Sequence, residues 1–218
     1  MLSFIPIYVA SFVGFLLYGL FMWDVNIIFF EFFCLLLLLV FFCFDDIVDN
    51  LHYESAFWLF ILSEVIIFGT LIVGCLYFDR WCYIKLSRAI EIPFLGCFLL
   101  LGSRITITGF HHLLGWSWSW VLLLFTIVLG LCFVGLQIYE MNEVFINIFD
   151  SSFHAIRFCV VGLHFSHVLL GVVGLITVLV CGVARMGVYR CTVMTWYWHF
   201  VDYVWLFVYM FVYVCYYW

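Results

Sequence analysis

The sequence predicts an all-α, polytopic membrane protein with seven transmembrane helices. Three observations carry this. The chain is 69% hydrophobic and only 9% charged, against about 45–50% apolar and about 25% charged in soluble domains. A soluble fold with this composition would have an apolar surface, and lipid is the solvent that accepts one. The apolar residues also run continuously for about 20 residues at a time, the length that crosses about 30 Å of hydrocarbon. No alternating ten-residue pattern repeats, as a membrane barrel requires. A helix, by contrast, satisfies its own backbone in lipid.

Polar breaks at 23–26, 45–54, 79–91, 115–119, 140–152 and 184–195 separate the spans. They fall near 4–23, 27–44, 55–78, 92–112, 119–139, 153–182 and 196–217. The connections are short, so sequential helices are expected to pack as neighbours. Gly162, Gly171 and Gly174 on the sixth span are expected to allow close helix approach. Trp116, Trp118, Trp120, Trp196, Trp198, Tyr216, Tyr217 and Trp218 sit near span ends and suit the interfacial belt. Arg185 and Arg190 fall on one side, and Arg80, Lys85 and Arg88 on the other. That balance is too even to orient the chain.

Other function classes recede on composition. A net charge of −6 gives no basic patch for nucleic acid. Most of the ten cysteines, Cys34, Cys97, Cys132 and Cys159 among them, lie in apolar runs without CxxC spacing. They read as small hydrophobes. The N-terminus lacks a basic region and the first apolar run is long enough to span, so no cleavable signal is expected. Phe, Val, Cys, Trp and Tyr abound beside one Gln, one Lys and two Pro. That bias fits U- and G-rich codons and hints at an organellar gene.

Ionisable groups at membrane depth need a partner or a purpose. Glu64, Arg104, His164 and His167 stand out. At about 1.5 Å per residue, Glu64 lies roughly 13 Å and Arg104 roughly 12 Å from the same side of the bilayer. Antiparallel neighbours would place them at one level, so a Glu64–Arg104 interaction is expected, directly or through water. The alternative is an Arg104 that snorkels outward and a protonated Glu64. His164 and His167 share a helix face. With His111 and His112 they suggest a histidine-ligated membrane metalloenzyme, but a metal needs convergent ligands with supporting partners. Contacts between helices are the expected role for these histidines, as for His199 and Asp202 on the last span. A carrier or channel finds no paired discontinuous helices. No nucleophile–base set or phosphate loop is present.

The run Trp196-Tyr197-Trp198-His199-Phe200-Val201-Asp202, followed by Val204-Trp205-Leu206-Phe207, resembles the last helix of the cytochrome c oxidase subunit III family. Leu62-Ser63-Glu64-Val65 with Phe68 resembles the family's third helix. Glu91-Ile92-Pro93 through Thr106-Ile107-Thr108 to His111-His112 resembles its fourth. Gln137, Glu140 and Glu143 fit the end of the fifth, and Asp150, Gly162, His164 and His167 keep the spacing beyond it.

The resemblance implies a non-redox subunit without haem or copper. Haem a and copper would sit in partner subunits, with subunit I and accessory subunits as neighbours. It implies a pair of helices (1–52) set apart from a five-helix bundle (53–218) by a lipid-filled cleft. It implies a mitochondrial inner membrane more than a bacterial one, and support of proton uptake and protection of the oxidase during turnover. Glu64 would be the buried carboxyl, bonded to His167. His164, His199, Asp202, Glu140 and Glu143 would make structural polar contacts. Phospholipids, cardiolipin or another anionic species, would be held. Asp45 and Asp49 stand where the family has basic residues, which leaves His52, Arg185 and Arg190 as headgroup contacts. Arg104 is an addition to the family pattern.

Overall fold

The computed structural model describes residues 11, 30, 54–78, 91–144 and 148–215. Two compact units divide the chain, Met1–His52 and Tyr53–Trp218. All the described residues except Ser11 and Phe30 belong to the second. The first two expected spans lie outside the described residues, apart from Ser11 and Phe30, both helical.

Six α-helices are present among the described residues, and no strand. They are α1 (Glu54–Phe78), α2 (Ile92–His112), α3 (Ser119–Glu143), α4 (Ser152–Cys181), the short α5 (Val183–Met186) and α6 (Val188–Val208). A π-helical turn, Tyr209–Val214, extends α6. Among the described residues four helices are long and apolar enough to cross a membrane: Ser55–Phe78, Ile92–His112, Ser119–Glu143 and Ser152–Cys181. The expected third to sixth spans thus fall within a few residues of observed helices.

The last one does not. Polarity places its start near 196, but α6 begins at Val188. Thr192 and Thr195 return their hydroxyl protons to the carbonyls of Val188 and Cys191, one turn back, so these polar residues continue the helix. Glycines make the break instead. Gly182 and Gly187 have φ of +76° and +82°, a left-handed backbone that a Cβ disfavours.

Other ends follow local chemistry. Pro93 opens α2, where a missing N–H costs nothing. Ser151 caps α4 by accepting the His154 N–H at 3.2 Å. α2 packs along α3 and α6, and α4 along α1, α3 and α6. α1 does not pack along α2; its neighbours are α4, α6 and the π-helical turn. The expectation that consecutive helices are always neighbours fails at this step.

The core centres on α6. Trp198 and Trp205 are buried, and Trp198 Nε1 donates to Ser103 Oγ on α2 at 3.0 Å. The Trp198 indole lies against Gly130 of α3 and Gly171 of α4. A Cβ there would meet its ring carbons at 2.8 Å and 2.9 Å. Gly174 receives the Met194 side chain in the same way. Gly162 behaves otherwise: nothing lies within 4 Å of its missing Cβ. It lines a cavity of about 350 Å³ between α3 and α4, beside Phe158 and Phe165.

Candidate functional site

Glu64 sits on α1, one turn before the buried Phe68, on the stripe that α1 turns toward α4. Its Oε2 lies 3.0 Å from Nε2 of His167 on α4, and both side chains are largely buried. The oxygen is out of line for a hydrogen bond, so proximity and charge make the contact. The other ring nitrogen, Nδ1, lies 2.8 Å from the Leu163 carbonyl. A carbonyl only accepts, so Nδ1 carries a proton and the neutral ring presents a bare Nε2 to the carboxyl. The Glu64 carboxyl and the His167 imidazole thus form a buried polar pair between α1 and α4. Phe68 closes the site edge-on at 5.5 Å from the His167 ring, and Tyr197 Oη donates to the His167 carbonyl at 3.2 Å.

Arg104 is not part of this site. Its guanidinium donates to Tyr203 Oη on α6 and sits 4.0 Å from the centre of that ring. The expected Glu64–Arg104 contact is not formed, because equal depth brings side chains together only on helices that share an interface. Nearer the end of α2, two more contacts join it to α6. Thr108 Oγ1 lies 3.5 Å from His199 Nε2, and Thr192 Oγ1 lies 3.3 Å from His111 Nε2. Both hydroxyl protons are committed to backbone carbonyls. Each imidazole is therefore the donor, through Nε2.

His164 points away from His167. Its Nε2 donates to the Val201 carbonyl of α6 at 3.2 Å, and its ring packs on Trp205 and Phe133 at 4.9 Å and 5.7 Å. Asp202 is buried, with neither carboxylate oxygen hydrogen-bonded. Glu140 is buried and accepts from Gln137 at 3.0 Å, while the exposed Glu143 accepts from Tyr139 at 2.6 Å. Arg185 on α5 and Arg190 in the first turn of α6 are exposed at the connection from α4. His52 lies outside the described residues.

One buried cluster adds two residues, Arg157 and Tyr213, that the sequence expectations do not include. Arg157 on α4 is fully enclosed, with its guanidinium 4.1 Å from the Phe153 ring centre. Tyr213, in the π-helical turn, lies beside Glu140, Gln137 and Arg157. The available signal is positional: Glu140 and Arg157 lie about one turn from the ends of consecutive helices that share a membrane face.

Among the described residues no three His, Cys, Asp or Glu side chains converge where a metal ion fits. His164 and His167 turn to different neighbours, and His111 turns to Thr192. The histidine-ligated metalloenzyme is therefore not favoured.

Fold and contacts define an α-helical membrane protein, with a Glu–His pair between two of its helices. Residues 45–218 match the sequence model of Cytochrome c oxidase subunit III. The chain is 35% identical over 179 residues to cytochrome c oxidase subunit 3 of Drosophila melanogaster, across 71% of this chain and 66% of that protein. It is 34% identical over 174 residues to the Locusta migratoria protein of the same name, across 76% and 64%. The Ornithorhynchus anatinus protein is 38% identical over 135 residues. The matches span a little under two thirds of the insect relatives' length. The chain belongs to the cytochrome c oxidase subunit III family.

Proposed function

We propose that this chain is a non-redox subunit of cytochrome c oxidase. In this role it packs on subunit I among accessory subunits in the mitochondrial inner membrane. Haem a and copper belong to those partners and carry the reduction of oxygen with electrons from cytochrome c. Family membership supports the assignment, and the carrying observation is the Glu64–His167 pair. A carboxyl and an imidazole held together largely out of contact with solvent suit a subunit that supports proton uptake by its neighbour.

The finer architecture belongs to the same proposal: seven spans grouped as two and five, with phospholipid held by the subunit. Arg185 and Arg190, exposed at one membrane face, are the candidate contacts for anionic headgroups in the described bundle, and His52 is a separate candidate outside the described residues.

The test is purification of the tagged chain from mitochondrial membranes in mild detergent. Haem a absorbance and copper should copurify in stoichiometric amounts with a larger, haem-bearing subunit. A complex without haem a would overturn the assignment. In the purified oxidase, Glu64→Gln should leave the haem spectrum unchanged and hasten loss of activity during turnover. Turnover indistinguishable from wild type would remove the role given to the pair.

A further inference from the structure

We propose that the α2–α6 face centred on Arg104 docks a neighbouring transmembrane helix that presents a carboxylate near mid-bilayer. Arg104 lies eight residues before His112, the last residue of α2, so at about 1.5 Å per residue it is about 12 Å from that end. In about 30 Å of hydrocarbon this is close to the middle. Helical side chains lean toward the helix N-terminus, which here is away from the nearer membrane face. The bond to Tyr203 fixes the guanidinium at that level.

The surroundings face outward. Tyr203 is 46% exposed and Ile105 75% exposed, with Leu101 and Phe207 completing an apolar rim. Intramembrane cations are ordinarily paired and turned into a bundle or a wet cavity. Among the described residues, the hydrogen-bonding partner of Arg104 is a neutral phenol. Asp202, next to Tyr203 in the chain, acts on Arg104 through space only. It is turned into the bundle and neither oxygen reaches a hydrogen bond. Most of the five guanidinium donors remain for an anion from outside this surface. Lipid phosphates sit at the interface, on the order of 15 Å from mid-bilayer. A carboxylate on an otherwise apolar helix meets both the charge and the depth, and Arg binds it through two parallel hydrogen bonds.

Docking at Arg104 does not depend on the oxidase assignment, which haem copurification tests separately. The experiment places p-benzoylphenylalanine at Ile105 in the full chain, in native membranes, and identifies the photo-adduct by mass spectrometry. The expected adduct is an apolar segment of another polypeptide containing Asp or Glu. Arg104→Met should lower its yield at least fivefold, and Arg104→Lys should lower it less, because the charge stays while the paired hydrogen bonds are lost. If Arg104→Met does not accumulate, the acid in the captured segment is changed to its amide, with the same fivefold loss expected. An adduct with phospholipid, with residues 1–53 of this chain, or with a segment lacking a carboxylate overturns the proposal. So does no adduct, or a yield indifferent to these charges.

Discussion

His167 uses its two ring nitrogens for different purposes: Nδ1 is bound to the Leu163 carbonyl at 2.8 Å, and Nε2 lies 3.0 Å from Glu64 on another helix. The backbone bond fixes the tautomer, and the tautomer fixes what Glu64 meets. Replacing one member strands the other in a poorly solvated place. His167→Ala should destabilise the chain by about 1–3 kcal/mol, the usual cost of an orphaned buried polar group. Glu64→Gln should cost less, since it keeps the volume and polarity of the side chain beside His167. Thermal inactivation of the two variants in one detergent gives the order, and equal losses would contradict this ranking.

Trp198 fills a slot that exists because Gly130 and Gly171 carry no side chain. A methyl group at either position would approach the indole to 2.8 Å or 2.9 Å, and the neighbour is a rigid ring held by Ser103. Gly130→Ala and Gly171→Ala should therefore each cost about 1–3 kcal/mol, as overpacking does. Gly162→Ala is the control. It faces open space, so the gain of about 0.5–1 kcal/mol from Ala over Gly within a helix should show. Unfolding midpoints in mixed micelles would separate the three, and a neutral Gly171→Ala would show that the indole has room to move.

The long, strongly apolar helices are legible in the sequence. The runs that become α1 to α4 are continuous, and their ends coincide with charges or glycine. The start of α6 is hidden because threonines that bond to their own backbone look polar in a sequence while sustaining a helix. Azimuth and adjacency are not legible. Counting residues puts Glu64 and Arg104 at one level, yet α1 meets α4 and α6 while α2 meets α3 and α6. The His167 partnership comes from family resemblance and not from spacing. Arg157 escapes notice because its counterparts, Glu140 and Tyr213, are far away in the chain.

Arg157 tests how much a buried cation is worth at one end of the bundle. It is enclosed, stacked over Phe153, and flanks Tyr213 together with Glu140. Removing one charge from such a cluster typically costs about 3–5 kcal/mol, because the other stays buried without compensation. Arg157→Leu should cause a loss of this size. Adding Glu140→Leu to it should recover part of the loss, because the stranded acid is then gone. A double-mutant cycle on unfolding free energy measures the coupling, and strictly additive losses would mean that the two groups act independently.

The two ends of α4 and the start of α6 rest on two glycines and one cap, and their contributions should differ in kind. Gly182 and Gly187 adopt φ of +76° and +82°, and no neighbour lies within 4 Å of either missing Cβ. Space is not limiting at these positions, but ψ of 153° and 150° puts both in the extended positive-φ region that is essentially confined to glycine, so an alanine should cost about 1–3 kcal/mol at each. Asparagine tolerates positive φ only at left-handed helical ψ, so Gly187→Asn should lose about as much as Gly187→Ala. Ser151 acts at the opposite end of α4 through its side chain, and Ser151→Ala should cost about 1 kcal/mol. Ser151→Asp should restore it, because an aspartate accepts the same N–H and favours a helix N-terminus. If Gly187→Ala were neutral, or Asp failed to rescue Ser151, positive φ and the cap would not be what ends these helices.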